Sequence, residues 1–100
     1  MGFEYRGVAR AGVAIPWTAL CDLIESFADI EIMTRDSQSV AFNFAGLARD
    51  RTMWTEDGSV NLESDGSLYI IFHVGPQRSF VTWLERSLAE VGVQVEVEEL

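Results

Sequence analysis

The segment Ser67 to Val74 constrains this chain most. Leu68, Ile70, Phe72 and Val74 alternate with Tyr69, Ile71 and His73, so a strand here is apolar or aromatic on both faces. Such a strand belongs inside a sheet, with neighbours on both edges. A chain of 100 residues has material for one core and no more. Residues 1–100 are therefore expected to form a single domain around this strand.

The remaining periodicities supply its surroundings. Ile30 and Ile32, then Val40, Phe42 and Phe44, and finally Val93, Val95 and Val97, recur at period two and predict half-buried strands. Phe3 to Ile15 reads as extended, with bends at Gly7 and Gly12. Spacings of three and four mark two helices. Pro16 is expected to open the first, where its missing N–H costs nothing. Trp17, Leu20, Cys21, Ile24, Phe27 and Ala28 form its apolar stripe. Ser79 is the expected N-cap of the second, which runs through Phe80, Trp83, Leu84, Leu88 and Val91 and stops at Gly92.

Asp57-Gly58 and Asp65-Gly66 both read as hairpin turns, since glycine reaches positive φ without a steric penalty. They make Thr52–Thr55, Val60–Glu63 and Ser67–Val74 three antiparallel strands. The expected fold is α+β: a mainly antiparallel sheet of about five to six strands with two helices on one face. Two strand-helix-strand halves sharing one sheet suggest a ferredoxin-like (split βαβ) plan with an extra hairpin.

That order of elements resembles ferredoxin-like small domains, including the amino-acid-binding ACT domains, over most of the chain. The resemblance implies a small-ligand-binding or regulatory domain. The Asp-x-Pro-Gly approach to the first ACT helix is replaced here by Val13-Ala14-Ile15-Pro16-Trp17, so no ligand-binding residue is carried over.

Charge narrows the function classes. Sixteen acidic residues face seven basic ones, for a net charge of −9, and all seven basic residues are arginines. A field of this sign repels phosphate backbones and anionic membrane surfaces. It steers basic proteins inward. No stretch approaches the roughly 20 apolar residues of a membrane span. The first six residues lack the apolar run of a signal peptide. With Cys21 the single cysteine, a reducing cytoplasm is the expected compartment.

Catalytic and metal-binding patterns are missing from the sequence. There is no lysine for a phosphate loop and no Gly-x-Ser-x-Gly. The alternating Asp57, Ser59, Asn61, Glu63 and Asp65 resemble a calcium loop, but Leu62 and Leu68 stand where glycine and glutamate are required. His73 is the single histidine and completes no zinc spacing. Neither an enzyme, a cofactor nor a metal is expected.

What remains is an acidic surface and an aromatic. Asp22, Glu25 and Asp29 are expected to share the solvent face of the first helix. Glu96 and Glu98 are expected on one face of the last strand, followed by Glu99. Trp54, set among polar residues, is the expected aromatic anchor. In size, acidity and lack of cofactor the chain is similar to bacterial immunity proteins and phage-encoded inhibitors. That similarity implies a basic protein partner, such as a nuclease toxin or another nucleic-acid-handling protein.

Overall fold

The structure is a computed structural model that describes residues 3–10, 12–45, 56–73 and 77–100. Eight elements follow in order: β1 (Phe3–Ala9), α1 (Trp17–Glu25), β2 (Ile30–Arg35), β3 (Ser39–Phe44), β4 (Gly58–Leu62), β5 (Leu68–Phe72), α2 (Gln77–Glu90) and β6 (Val95–Glu99). The strands form one sheet in the order β2-β3-β4-β5-β1-β6. Every neighbouring pair is antiparallel. As its two-faced pattern demands, β5 lies inside the sheet, between β4 and β1.

The register sorts the side chains. Phe72 lies opposite Gly58, Gly58 opposite Phe42, and Phe42 opposite Ile32. Tyr5 lies opposite Ile70, Ile70 opposite Val60, and Val60 opposite Val40. Directly opposed residues share a face, so these residues make one apolar surface. Both helices cover it: Leu20, Cys21 and Ile24 from α1, and Phe80, Val81, Leu84 and Leu88 from α2, join the strand residues in one buried cluster. The rings of Phe42 and Phe80 stack at 5.2 Å between centroids, and Phe72 meets Phe80 edge-on at 5.4 Å. Each fully buried side chain of this size contributes about 1.5–3 kcal/mol. Trp17 and Trp83 pack against the cluster but stay partly exposed.

The strand order departs from that of a four-stranded split βαβ sheet. Four consecutive strands, β2 to β5, form a meander, and β1 is placed beyond it between β5 and β6. The coarse expectation of an α+β fold with an antiparallel sheet and two helices holds. The finer topological plan does not follow from this order.

Several local expectations are corrected. Asp65-Gly66 is a turn, with Gly66 at φ 88°, and Asp65 Oδ1 accepts hydrogen bonds from both Oγ and N–H of Ser67. These bonds hold the Asp65 carboxyl below the usual carboxylate range. Asp57-Gly58 is no turn. Asp57 is fully buried and Gly58 begins β4. Asp57 Oδ2 accepts from the Phe44 N–H at 2.7 Å, and its carbonyl accepts from the His73 N–H at 2.7 Å. The residue thus fastens the start of β4 to the strands on either side. The expected strand Thr52–Thr55 lies outside the described residues.

Gly7 is no bend either, because it pairs in register with both Leu68 and Val97. Helix α2 begins at Gln77, so Ser79 lies inside it rather than at its cap. Pro16 precedes α1 as its cap residue, in an extended conformation. That helix stops at Glu25 instead of continuing to Ala28. Gly92 does end α2 as expected: it sits at φ 87°, and the Val93 N–H returns to the Leu88 carbonyl at 2.9 Å.

Candidate functional site

The two acidic groups read from the sequence lie at opposite ends of the sheet. β2, which carries α1 beside it, is one edge, and β6 is the other. Five inter-strand steps of about 4.8 Å put them about 24 Å apart. They cannot act as one compact cluster.

The α1 group is neither continuous nor free. Asp22 and Glu25 lie on the exposed side of the helix, and Arg35 reaches up from β2 to both. Its Nη1 lies 3.0 Å from Asp22 Oδ1 and 3.0 Å from Glu25 Oε1. The same guanidinium donates to the Thr18 carbonyl at 3.4 Å. The two carboxylates raise the pKa of Arg35 further, chiefly through the hydrogen bond to Glu25. Asp29 does not share the helix face. It lies past the end of α1 in the left-handed region, at φ 63°, where its carbonyl accepts from the Ala45 N–H. The expected stripe of three repelling charges is thus two carboxylates bridged by one cation.

The β6 group is different. Glu96 and Glu98 project from the face of the sheet that α1 and α2 leave uncovered, opposite Val8 and Arg6 of β1. Both are exposed, and neither makes an ion pair with any described residue. Glu99 is exposed too, but alternation turns it to the other face, opposite Tyr5. There, after burial, it is the next cause of the raised Tyr5 pKa.

The same uncovered face carries residues that the sequence did not single out. Glu4 and Arg6 of β1 point this way, and Tyr69 of β5 lies opposite Arg6. The Tyr69 hydroxyl donates to Glu4 Oε1. That bond to a carboxylate, more than burial, raises the Tyr69 pKa. Alternation within Phe3–Ala9 places Glu4, Arg6 and Val8 on one face, which was legible. That this face adjoins Glu96 and Glu98 depends on pairing between strands some 90 positions apart and was not.

Other sequence candidates resolve simply. Cys21 is buried in the helical layer, and burial pushes its thiol pKa up. His73 lies just past the end of β5, half-buried, with its N–H donated to the Asp57 carbonyl. Among the described residues, no three His, Cys, Asp or Glu side chains are arranged to hold a metal. No described helix is long and apolar enough to cross a membrane. Trp54 lies outside the described residues. Comparisons with protein-family models, curated proteins and solved structures return no match.

Proposed function

We propose that this chain is a small acidic protein-binding inhibitor that neutralises a basic, nucleic-acid-handling partner, in the manner of an immunity protein against a nuclease toxin. The observation that carries the reading is the state of Glu96 and Glu98. They stand exposed on an edge strand and form no ion pair with any described residue, although Arg6 lies opposite Glu98, in a chain of net charge −9. Glu96 lies opposite the apolar Val8, and Glu98 opposite Arg6 without closing an ion pair, so both carboxylates remain open to a complementary cationic surface. Asp22 and Glu25, whose charge is partly offset by Arg35, are the weaker candidates for that contact.

The placement of β1 between β5 and β6 supports a ferredoxin-like plan with an extra hairpin. β5 and β6 are both antiparallel to β1, hence parallel to each other, and α2 connects them across it. We read this arrangement as a split βαβ unit within a longer meander. On this reading β3 and β4 are the added hairpin.

Affinity capture from the native host at low salt tests the function. A basic protein should be recovered by the wild-type chain and by the Asp22→Asn, Glu25→Gln variant. The Glu96→Gln, Glu98→Gln variant should recover much less. Equal recovery by all three chains, or no basic partner at all, would overturn the proposal.

A further inference from the structure

The two edges of the sheet are not equivalent. β2 is irregular: its register against β3 shifts between Ile32 and Thr34, leaving Met33 in a bulge. Bulges of this kind block the addition of another strand. β6 pairs in unbroken register with β1 from Val95 to Glu99, and among the described residues no strand lies on its other side. It carries no proline, no bulge and no lysine.

The hydrogen bonds show which backbone groups that edge offers. The Leu100 N–H donates to the Glu4 carbonyl at 2.8 Å, and the Arg10 N–H donates to the Gln94 carbonyl at 3.3 Å. Both lie on the β1–β6 register, so Gln94, Glu96, Glu98 and Leu100 turn their backbone groups toward β1. By the alternation of an antiparallel ladder, Val95, Val97 and Glu99 turn theirs outward. A groove of about 480 Å³ borders this edge, between Thr82, Glu85 and Ala89 of α2 and Gln94, Val95 and Glu96. Arg86 also lines it.

We infer that β6 binds an extended segment of the partner by strand addition, with Lys or Arg at alternate positions and small uncharged residues between them. This inference rests on the acidic-surface reading above and specifies how that surface engages. The cationic residues would fall on the uncovered face beside Glu96 and Glu98. The residues between them would fall on the helix side, beside Val95 and Val97, where Thr82 and Ala89 leave room for small side chains. The added strand would pair with Val95, Val97 and Glu99 through its main chain. Backbone pairing would supply affinity, and the charge pattern would supply selection and association rate.

The test uses a soluble peptide of alternating lysine and valine, the same peptide with alternate amides N-methylated, and the full chain. Wild type should bind the plain peptide, and moderate salt should weaken binding mainly by slowing association. Val97→Pro removes an outward N–H and leaves the bonds to β1 in place, a position where an edge strand tolerates proline. It should weaken binding about tenfold or more with charge unchanged. Peptides methylated in one or the other register should bracket the same loss on the wild-type chain, which keeps the test valid if Val97→Pro perturbs folding. If the wild-type chain does not bind the plain peptide, or if both methylated peptides bind as tightly as the plain one, strand addition is wrong. In either case capture of a basic partner that depends on Glu96 and Glu98 would leave the acidic-surface reading standing.

Discussion

Gly58 lies so close to Phe42 that a Cβ added to it would stand 2.9 Å from the ring edge. The same Cβ would meet the Phe72 ring at 3.0 Å and the Ile71 carbonyl at 3.1 Å. The glycine is required by packing rather than by φ. Gly58→Ala should therefore lower stability by about 1–3 kcal/mol, as overpacked cores do. At Gly66 the space is open and the restriction is φ 88°, so Gly66→Asn should be tolerated while Gly58→Asn should not. Denaturant midpoints for the four proteins would decide it, and equal effects of asparagine at both positions would refute the distinction.

Phe72 and Leu84 are both fully buried, one on the sheet and one on α2. Truncation of either to alanine should cost about 2–5 kcal/mol, measured by urea unfolding. Losses under about 1 kcal/mol at both, the range of ordinary surface changes, would mean that the two layers do not pack as described.

Tyr69 and Glu4 link stability to alkaline pH. The folded-state pKa of Tyr69 is raised, so its contribution is fully present below the ordinary tyrosine value of about 10. It is lost as pH rises through the higher folded value. Glu4→Gln should move the Tyr69 titration down toward that ordinary value in an ultraviolet difference titration. Tyr5, whose shift comes first from burial and only then from Glu99, should hardly respond. An unchanged Tyr69 titration in Glu4→Gln would rule the hydrogen bond out as the cause.

Relief of like-charge repulsion would let the Asp22→Asn, Glu25→Gln variant melt slightly higher than wild type. The Arg35 bridge reverses that expectation. The variant should melt at the same temperature or slightly lower, and the difference from wild type should shrink in high salt. A clear rise at low salt would show that Arg35 does not hold the pair in solution.

Cys21 should be slow to react with a disulfide reagent in the native state, because its thiol is both buried and shifted away from the thiolate. Labelling should track unfolding as denaturant is added. Rapid labelling of the native protein would place Cys21 near the surface.

Much of the architecture was legible because periodicity reports directly which side of an element faces the core. The alternation of Val40, Phe42 and Phe44, and the spacing of Leu84 and Leu88, identified buried faces without any knowledge of neighbours. Turn chemistry was less dependable. Asp57-Gly58 and Asp65-Gly66 are the same dipeptide, yet one is pinned into the sheet and the other turns in solvent. Nothing local distinguishes a glycine needed for its φ from one needed for its missing Cβ.

By itself, the sequence determined that one core exists, that two helices cover apolar strands, that β5 lies inside a sheet, and that the molecule is strongly acidic. Those properties are sums or periods along the chain. The tertiary structure alone decided that β1 sits between β5 and β6. That placement makes β6 an edge and lays Glu96 and Glu98 beside Glu4 and Arg6 on the uncovered face. It was also the tertiary structure that brought Arg35 to Asp22 and Glu25. The physical reason is that alternation fixes which face a side chain occupies but not which strand will lie alongside. Partner choice depends on how the whole apolar surface is best covered, a property no local segment contains.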